Sequence, residues 1–114
     1  MVRSCGFPRD VRLTVSRDFD RVLKHSDLRK RTGPLRLAAV ANRMQHARLG
    51  LIVGKRGVAQ AHERNRIKRV IRDYFRQQQQ ELAALDIVIQ VMAELDNAEL
   101  RAGLARLLDG QVRR

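Results

Sequence analysis

The segment 62–82 constrains this chain more than any other. Ile67, Val70, Ile71, Tyr74 and Phe75 recur at three- and four-residue spacing, so on a helix they form one apolar stripe that must face another layer. The neighbouring runs supply that layer. Arg48–Val53 reads as a strand: Leu49, Leu51 and Val53 alternate with Gly50, Ile52 and Gly54, giving one buried face and one close-packed face. The run 85–93, rich in Ile and Val, is the clearest buried strand. Strand, long helix and strand in succession make a crossover.

The rest of the chain completes a small sheet. Residues 1–12 read as an irregular arm containing Gly6 and Pro8. Ser16 is placed to cap a short helix over 17–25, with Asp18 in its first turn and Phe19, Val22 and Leu23 on one face. Residues 26–34 are polar and basic, a loop or short edge strand broken at Gly33-Pro34. Leu35–Ala41 reads as a strand, joined to Arg48–Val53 through a hairpin loop over 42–47. Asp96 or Asn97 caps a last helix whose Leu100, Leu104, Leu107 and Leu108 form an apolar stripe, and Gly110 stops it. With neither repeat nor internal linker, the expectation is one domain over 1–114. Its fold class is α/β, a two-layer sandwich with a small mixed β-sheet of about four strands packed with helices.

Charge then separates this chain from an ordinary α/β domain. Its 114 residues carry 24 Lys and Arg against 12 Asp and Glu, a formal excess of +12. So large a field in so small a body attracts polyanions. The cations cluster: Lys55, Arg56, Arg64, Arg66, Lys68, Arg69, Arg72 and Arg76 are opposed only by Glu63 and Asp73. Arg64, Lys68, Arg72 and Arg76 recur every fourth residue, about 6 Å apart along a helix. Like charges at that spacing cost roughly 0.2–0.5 kcal/mol per pair, which favours a bound anion. A phosphate backbone fits, and Asn65 adds a donor and an acceptor for a base edge or a 2′-hydroxyl. His62, at the helix start, is placed to touch the same RNA. Arg64 and Arg66 read as exposed, so their loss should leave stability unchanged.

Other classes fare worse. The lone Cys5 forms no intramolecular disulfide, and a reducing cytoplasm is its simplest setting. The apolar stretches 37–41 and 49–53 are too short to span a bilayer, and 6–10 interrupts any secretory signal, so a soluble cytoplasmic protein is expected. A protein-only nuclease needs clustered carboxylates or paired histidines; here the acids are scattered and His25, His46 and His62 fall on three elements. A general or ribosomal RNA-binding module shares the charge. DNA binding lacks helix-turn-helix spacing, and a membrane-surface role would need the apolar stripe that the core uses.

The run Ala61-His62-Glu63-Arg64-Asn65-Arg66-Ile67-Lys68-Arg69, followed by Arg72 and Phe75-Arg76, resembles the signature of the bacterial ribonuclease P protein component. Phe7-Pro8-Arg9, Phe19, Arg48-Leu49-Gly50-Leu51 before Lys55-Arg56, and Leu85-Asp86-Ile87-Val88 follow in the family's order, so the resemblance covers nearly the whole chain. It implies a strand–helix–strand crossover of the rare left hand. It also implies a catalytic ribonuclease P RNA as partner, which cleaves the 5′ leader from precursor tRNA with Mg²⁺ bound mainly by the RNA and none held tightly by the protein. The protein would be monomeric when free and not catalytic alone.

Carried over by position, Lys55, Arg56, His62, Arg64, Asn65, Arg66, Lys68, Arg69, Arg72 and Arg76 are the expected RNA-binding residues. The family's leader cleft, between the long helix and the sheet, would take Phe7, Phe19, Arg36, Lys68 and Arg72. Two departures stand out. Leu23 and the first strands lack aromatics common in the family, and Val58-Ala59-Gln60 replaces a common Gly-Asn pair.

Overall fold

The most hydrophobic run of the sequence becomes an inner strand of the sheet. In a computed structural model, which describes residues 11–114, the order is α1 (Ser16–His25), β1 (Leu28–Thr32), β2 (Leu35–Ala41), β3 (Arg48–Val53), α2 (Ala61–Gln78), β4 (Leu85–Val91) and α3 (Asn97–Leu107). Short 3-10 turns occupy Gln79–Glu81 and Gly110–Val112. The sheet order is β1-β2-β4-β3. β4 pairs antiparallel with β2 and parallel with β3, so the β3–α2–β4 connection is a crossover, as parallel neighbours require. Phe7 and Cys5 lie outside the described residues.

The period of two sorts each strand by face. Leu35, Leu37 and Ala39 of β2 and Ile87, Ile89 and Val91 of β4 share one core with Ile67, Ile71 and Phe75 of α2 and Leu100, Leu104 and Leu107 of α3. Ala38 and Val88 point the other way and pack with Leu13, Val22, Phe19 and Leu23. The α/β sheet with helices is as expected, but α1 adds a partial layer on the second face. Gly50 makes that layer possible: a Cβ there would stand 2.6 Å from Phe19 Cε1, so only glycine lets the ring settle on β3.

Two local expectations need correction, and two open alternatives resolve. The loop 42–47 is not a hairpin, because β4 inserts between β2 and β3 and takes the hydrogen-bonding edges of both. The hairpin is β1–β2, where residues 26–34 supply an edge strand and Gly33, at φ 53°, turns the chain into Pro34. Ser16 is not a cap: Val15 holds that position, and its carbonyl accepts from Asp18 and Phe19. At α3 the choice resolves to Asp96, which forms a reciprocal capping box with Glu99.

One buried charge ties the elements together. Asp86, on β4, is fully buried. Its Oδ1 accepts from Arg48 Nε at 2.8 Å and Asn42 Nδ2 at 2.9 Å, and its Oδ2 accepts from Arg48 Nη2 at 2.7 Å and from Arg21 of α1. Burial pushes this carboxyl up. The hydrogen bonds from Arg48 and Asn42, the Arg48 charge and the Arg21 contact outweigh burial, and its pKa lies below the ordinary aspartate value. Arg48 is correspondingly raised, chiefly by its hydrogen bond to Asp86.

Asp86→Asn keeps the volume but leaves Arg21 and Arg48 facing each other without an anion. It should lower unfolding free energy by about 3–5 kcal/mol in urea titrations. The sign with pH follows from the depressed pKa: the stability contributed by Asp86 is complete above about pH 4, the unfolded carboxylate value, and is lost as pH falls through the folded one. The variant should lack that part of the acid transition.

Candidate nucleic-acid interface

Successive residues on a helix are about 100° apart, which divides the cations of α2 between two flanks. Ile67, Ile71 and Phe75 are fully buried and define the inward direction. Arg64, Lys68 and Arg72 follow one another along one side of that stripe. Arg66 stands about 200° around from Arg64, on the opposite flank. That flank faces α3.

Arg66 is consequently a structural clamp. Its Nε donates to Glu63 Oε1 at 2.8 Å, Nη1 to Asn97 Oδ1 at 2.6 Å and Nη2 to the Leu95 carbonyl at 2.8 Å. The Arg66 hydrogen bond is also the main reason the Glu63 carboxyl lies below its usual range. Arg64 is engaged too: Nη1 donates to the carbonyls of Val58 at 2.9 Å and Ala59 at 2.8 Å, folding the preceding loop onto the first turn. The expectation that both side chains stand free in solvent is therefore corrected. The loop itself is fixed, because Val58 is fully buried and a Cβ on Gly57 would collide with the Met92 carbonyl. Lys55 and Arg56 project from it, exposed.

The other cations of α2 differ in their commitments. Arg76 pairs with Asp73 at 2.5 Å. Lys68 and Arg72 are half-buried and Arg69 is exposed, and among the described residues these three have no hydrogen-bond or ion-pair partner. Burial, and then the charge of Arg12, pull Arg72 below the ordinary arginine value. Arg12 bridges to Leu49 on the outer side of β3, so the basic flank of α2 runs along the β3 edge. Asn65 is exposed on this flank, and His62 is exposed with its Nε2 3.3 Å from Glu63.

The space expected between α2 and the sheet is filled by core. The open surface lies on the opposite face, beside α1, as a cleft of about 380 Å³ bordered by Leu23, Arg29, Arg31, Arg36, Ala38 and Gln90. Phe19 and Arg36 share this face; Lys68 and Arg72 stand apart on α2. Phe7 lies outside the described residues. Sequence reasoning missed Arg29 and Arg31, although the alternation Leu-Arg-Lys-Arg-Thr would have placed them on one face once read as a strand. Among the described residues, no three His, Cys, Asp or Glu side chains gather as metal ligands, and no helix is long and apolar enough to cross a membrane.

Comparison with known proteins finds one family by profile, by sequence and by fold. The family profile described as Ribonuclease P matches residues 7–110. The chain is 40% identical over 105 residues to the ribonuclease P protein component of Proteus mirabilis strain HI4320, covering 90% of this chain and 87% of that one. It is 45% identical over 107 residues to that of Stutzerimonas stutzeri strain A1501, covering 91% and 82%. A Staphylococcus aureus RNase P protein mutant with defective mRNA degradation activity superposes with TM-score 0.81 at 25% identity, over 88% of this chain and 86% of that one. The Thermotoga maritima RNase P protein in complex with 1-(4-fluorophenyl)-2-thiourea gives 0.75 at 27% identity, over 84% and 95%.

The two flanks of α2 should respond differently to truncation. Arg66→Ala leaves the Leu95 carbonyl and Asn97 without their donor and should cost about 1–3 kcal/mol in chemical denaturation. Arg69→Ala should stay within about 0.5 kcal/mol of the parent.

Proposed function

The chain belongs to the ribonuclease P protein family, the protein component of a tRNA-processing endoribonuclease, and we propose that it docks its catalytic RNA through the basic flank of α2 and holds the 5′ leader of precursor tRNA in the cleft beside α1. The observation that carries this reading is the set of uncommitted cations. Lys68, Arg69 and Arg72, with Lys55 and Arg56 on the preceding loop, have no partner within the described residues and lie on fixed elements. Polyanion binding at such a surface releases counterions and is steeply salt-dependent. Arg64 and Asn65 extend it toward the start of the helix, with His62 at the first turn. Arg66 contributes by fixing α2 against α3.

The chemistry belongs to the RNA. The one fully buried carboxylate among the described residues, Asp86, is saturated by Arg48, Asn42 and Arg21, and no three His, Cys, Asp or Glu side chains there gather as metal ligands. Mg²⁺, held mainly by the RNA, would supply the hydrolytic chemistry. This chain supplies positive charge that favours the assembly of two polyanions, and a cleft that favours substrates carrying a leader. The free protein acts as a monomer in the cytoplasm.

Added to a bacterial ribonuclease P RNA at low Mg²⁺, the chain should restore efficient cleavage of precursor tRNA, while the chain alone should cut nothing. Absence of stimulation would remove the assignment of function. Lys68→Ala with Arg69→Ala should weaken RNA docking and lower the slope of log affinity against log salt by about 1 to 2, with the thermal melt unchanged.

A further inference from the structure

The entry to α2 is fastened by an arginine from within the helix. Gln60 holds the N-cap position in extended backbone, and its side chain makes no capping bond. The chain therefore lacks the side-chain contact that ordinarily sets the angle at which a loop enters a helix. Arg64, one turn in, reaches back to do this. Its Nη1 donates to the carbonyls of Val58 at 2.9 Å and Ala59 at 2.8 Å. A cation so close to a helix N-terminus meets the positive end of the macrodipole, and the two carbonyl oxygens offset that repulsion.

The loop held in this way, residues 54–60, has anchors elsewhere along its length. Val58 is fully buried, and its N–H donates to the Gly54 carbonyl at 3.0 Å. Gly57 lies so close to Met92 that a Cβ would stand 2.2 Å from the carbonyl oxygen. Lys55 and Arg56 fall between these points, exposed and, among the described residues, without a hydrogen-bond or ion-pair partner. The last fastening of their loop, at Val58 and Ala59, is Arg64. Arg66 does the same on the other flank, donating to the Leu95 carbonyl and to Asn97. The tripeptide Arg64-Asn65-Arg66 thus commits both guanidinium groups to neighbouring loops and leaves Asn65 exposed between them.

We propose that Arg64 is a positioning residue for RNA docking: through the carbonyls of Val58 and Ala59 it holds Lys55 and Arg56 where the RNA meets them, and it contacts no phosphate itself. The inference rests on docking of the catalytic RNA along this flank of α2. Cations on a fixed loop lose little conformational freedom when a phosphate arrives, whereas a loose loop must first be ordered. Releasing the loop therefore costs affinity although every phosphate contact is still available. Within the docking surface, Arg64 serves indirectly.

The test measures docking of the full chain to ribonuclease P RNA, with amide hydrogen exchange of the free protein alongside. R64A should speed exchange of the Val58 amide about tenfold, because that N–H reports closure of the loop. R64A should also weaken docking about tenfold, and K55A with R56A should do at least as much. In the K55A and R56A background, R64A should cost less than about twofold further and leave the salt slope in place, whereas a direct phosphate contact would lower the slope by about 0.9 more. Arg64→citrulline, which keeps a terminal NH₂ donor for the two carbonyls and removes the charge, should dock and exchange like the parent. Additive losses, a Val58 amide indifferent to R64A, or a citrulline variant that docks as weakly as R64A would each overturn the positioning role. If K55A with R56A docks as tightly as the parent, the loop is no part of the RNA surface, and the docking reading of that loop is itself wrong.

Discussion

A carboxylate without access to water decides how this sheet is assembled. Asp86 sits on β4 directly opposite Arg48 of β3, so their bidentate pairing fixes the parallel register of the crossover strands. Asn42, at the end of β2, brings the connecting loop to the same oxygens, and Arg21 brings α1 down onto that face. Burying a charge is expensive, and the cost is recovered only when every lone pair finds a donor in good geometry. Four elements must therefore be correctly placed at once. The cleft depends on this, because the position of α1 over Val88 and Ala38 leaves the next row, Arg31, Arg36 and Gln90, uncovered.

With twice as many basic as acidic residues, the chain cannot neutralise all its cations, and it distributes its few acids selectively. Asp86, Glu63, Asp73 and Glu81 hold Arg21, Arg48, Arg66, Arg76 and Arg113 within the fold. Backbone carbonyls take others: Val58 and Ala59 hold Arg64, and Leu23 holds Arg29. The cations that remain unpartnered among the described residues include scattered ones, such as Arg17, Arg43 and Arg101, and two sets that share a surface: Lys68, Arg69 and Arg72 on one flank of α2, and Arg31 and Arg36 on one rim of the sheet.

Much of this was legible from spacing. The apolar stripes of α2 and α3 and the strands Leu35–Ala41 and Arg48–Val53 follow from periods of 3.6 and 2 that burial alone enforces. Strand order was not legible, since the connection 42–47 has the length of a hairpin and only the pairing preference of β4 excludes one. Arg66 was misread for a related reason: the tripeptide Arg64-Asn65-Arg66 looks like one motif, but adjacent positions on a helix point in different directions, and the partner of Arg66 lies 31 residues away at Asn97. Asp86 was visible as a residue and invisible as a hub, because its three donors come from sequence positions 21, 42 and 48.

The basic flank of α2 is also less strained than its sequence implies. Four-residue spacing gives like-charge pairs along Arg64, Lys68, Arg72 and Arg76, each costing roughly 0.2–0.5 kcal/mol. The fold relieves the outer members, Arg64 through two carbonyls and Arg76 through Asp73. The remaining repulsion, between Lys68 and Arg72 with Arg12 beyond, is small beside the roughly 1.5–3 kcal/mol gained by burying each of Ile67, Ile71 and Phe75. The domain therefore does not need an anion in order to fold. Its half-buried cations are already held near their stems, so an RNA strand docking there orders little and loses little affinity to that ordering. By mass action, any ligand that binds only the folded chain adds about 2.7 kcal/mol of stability at a hundred times its Kd. Binding then reinforces a surface that the core has already built.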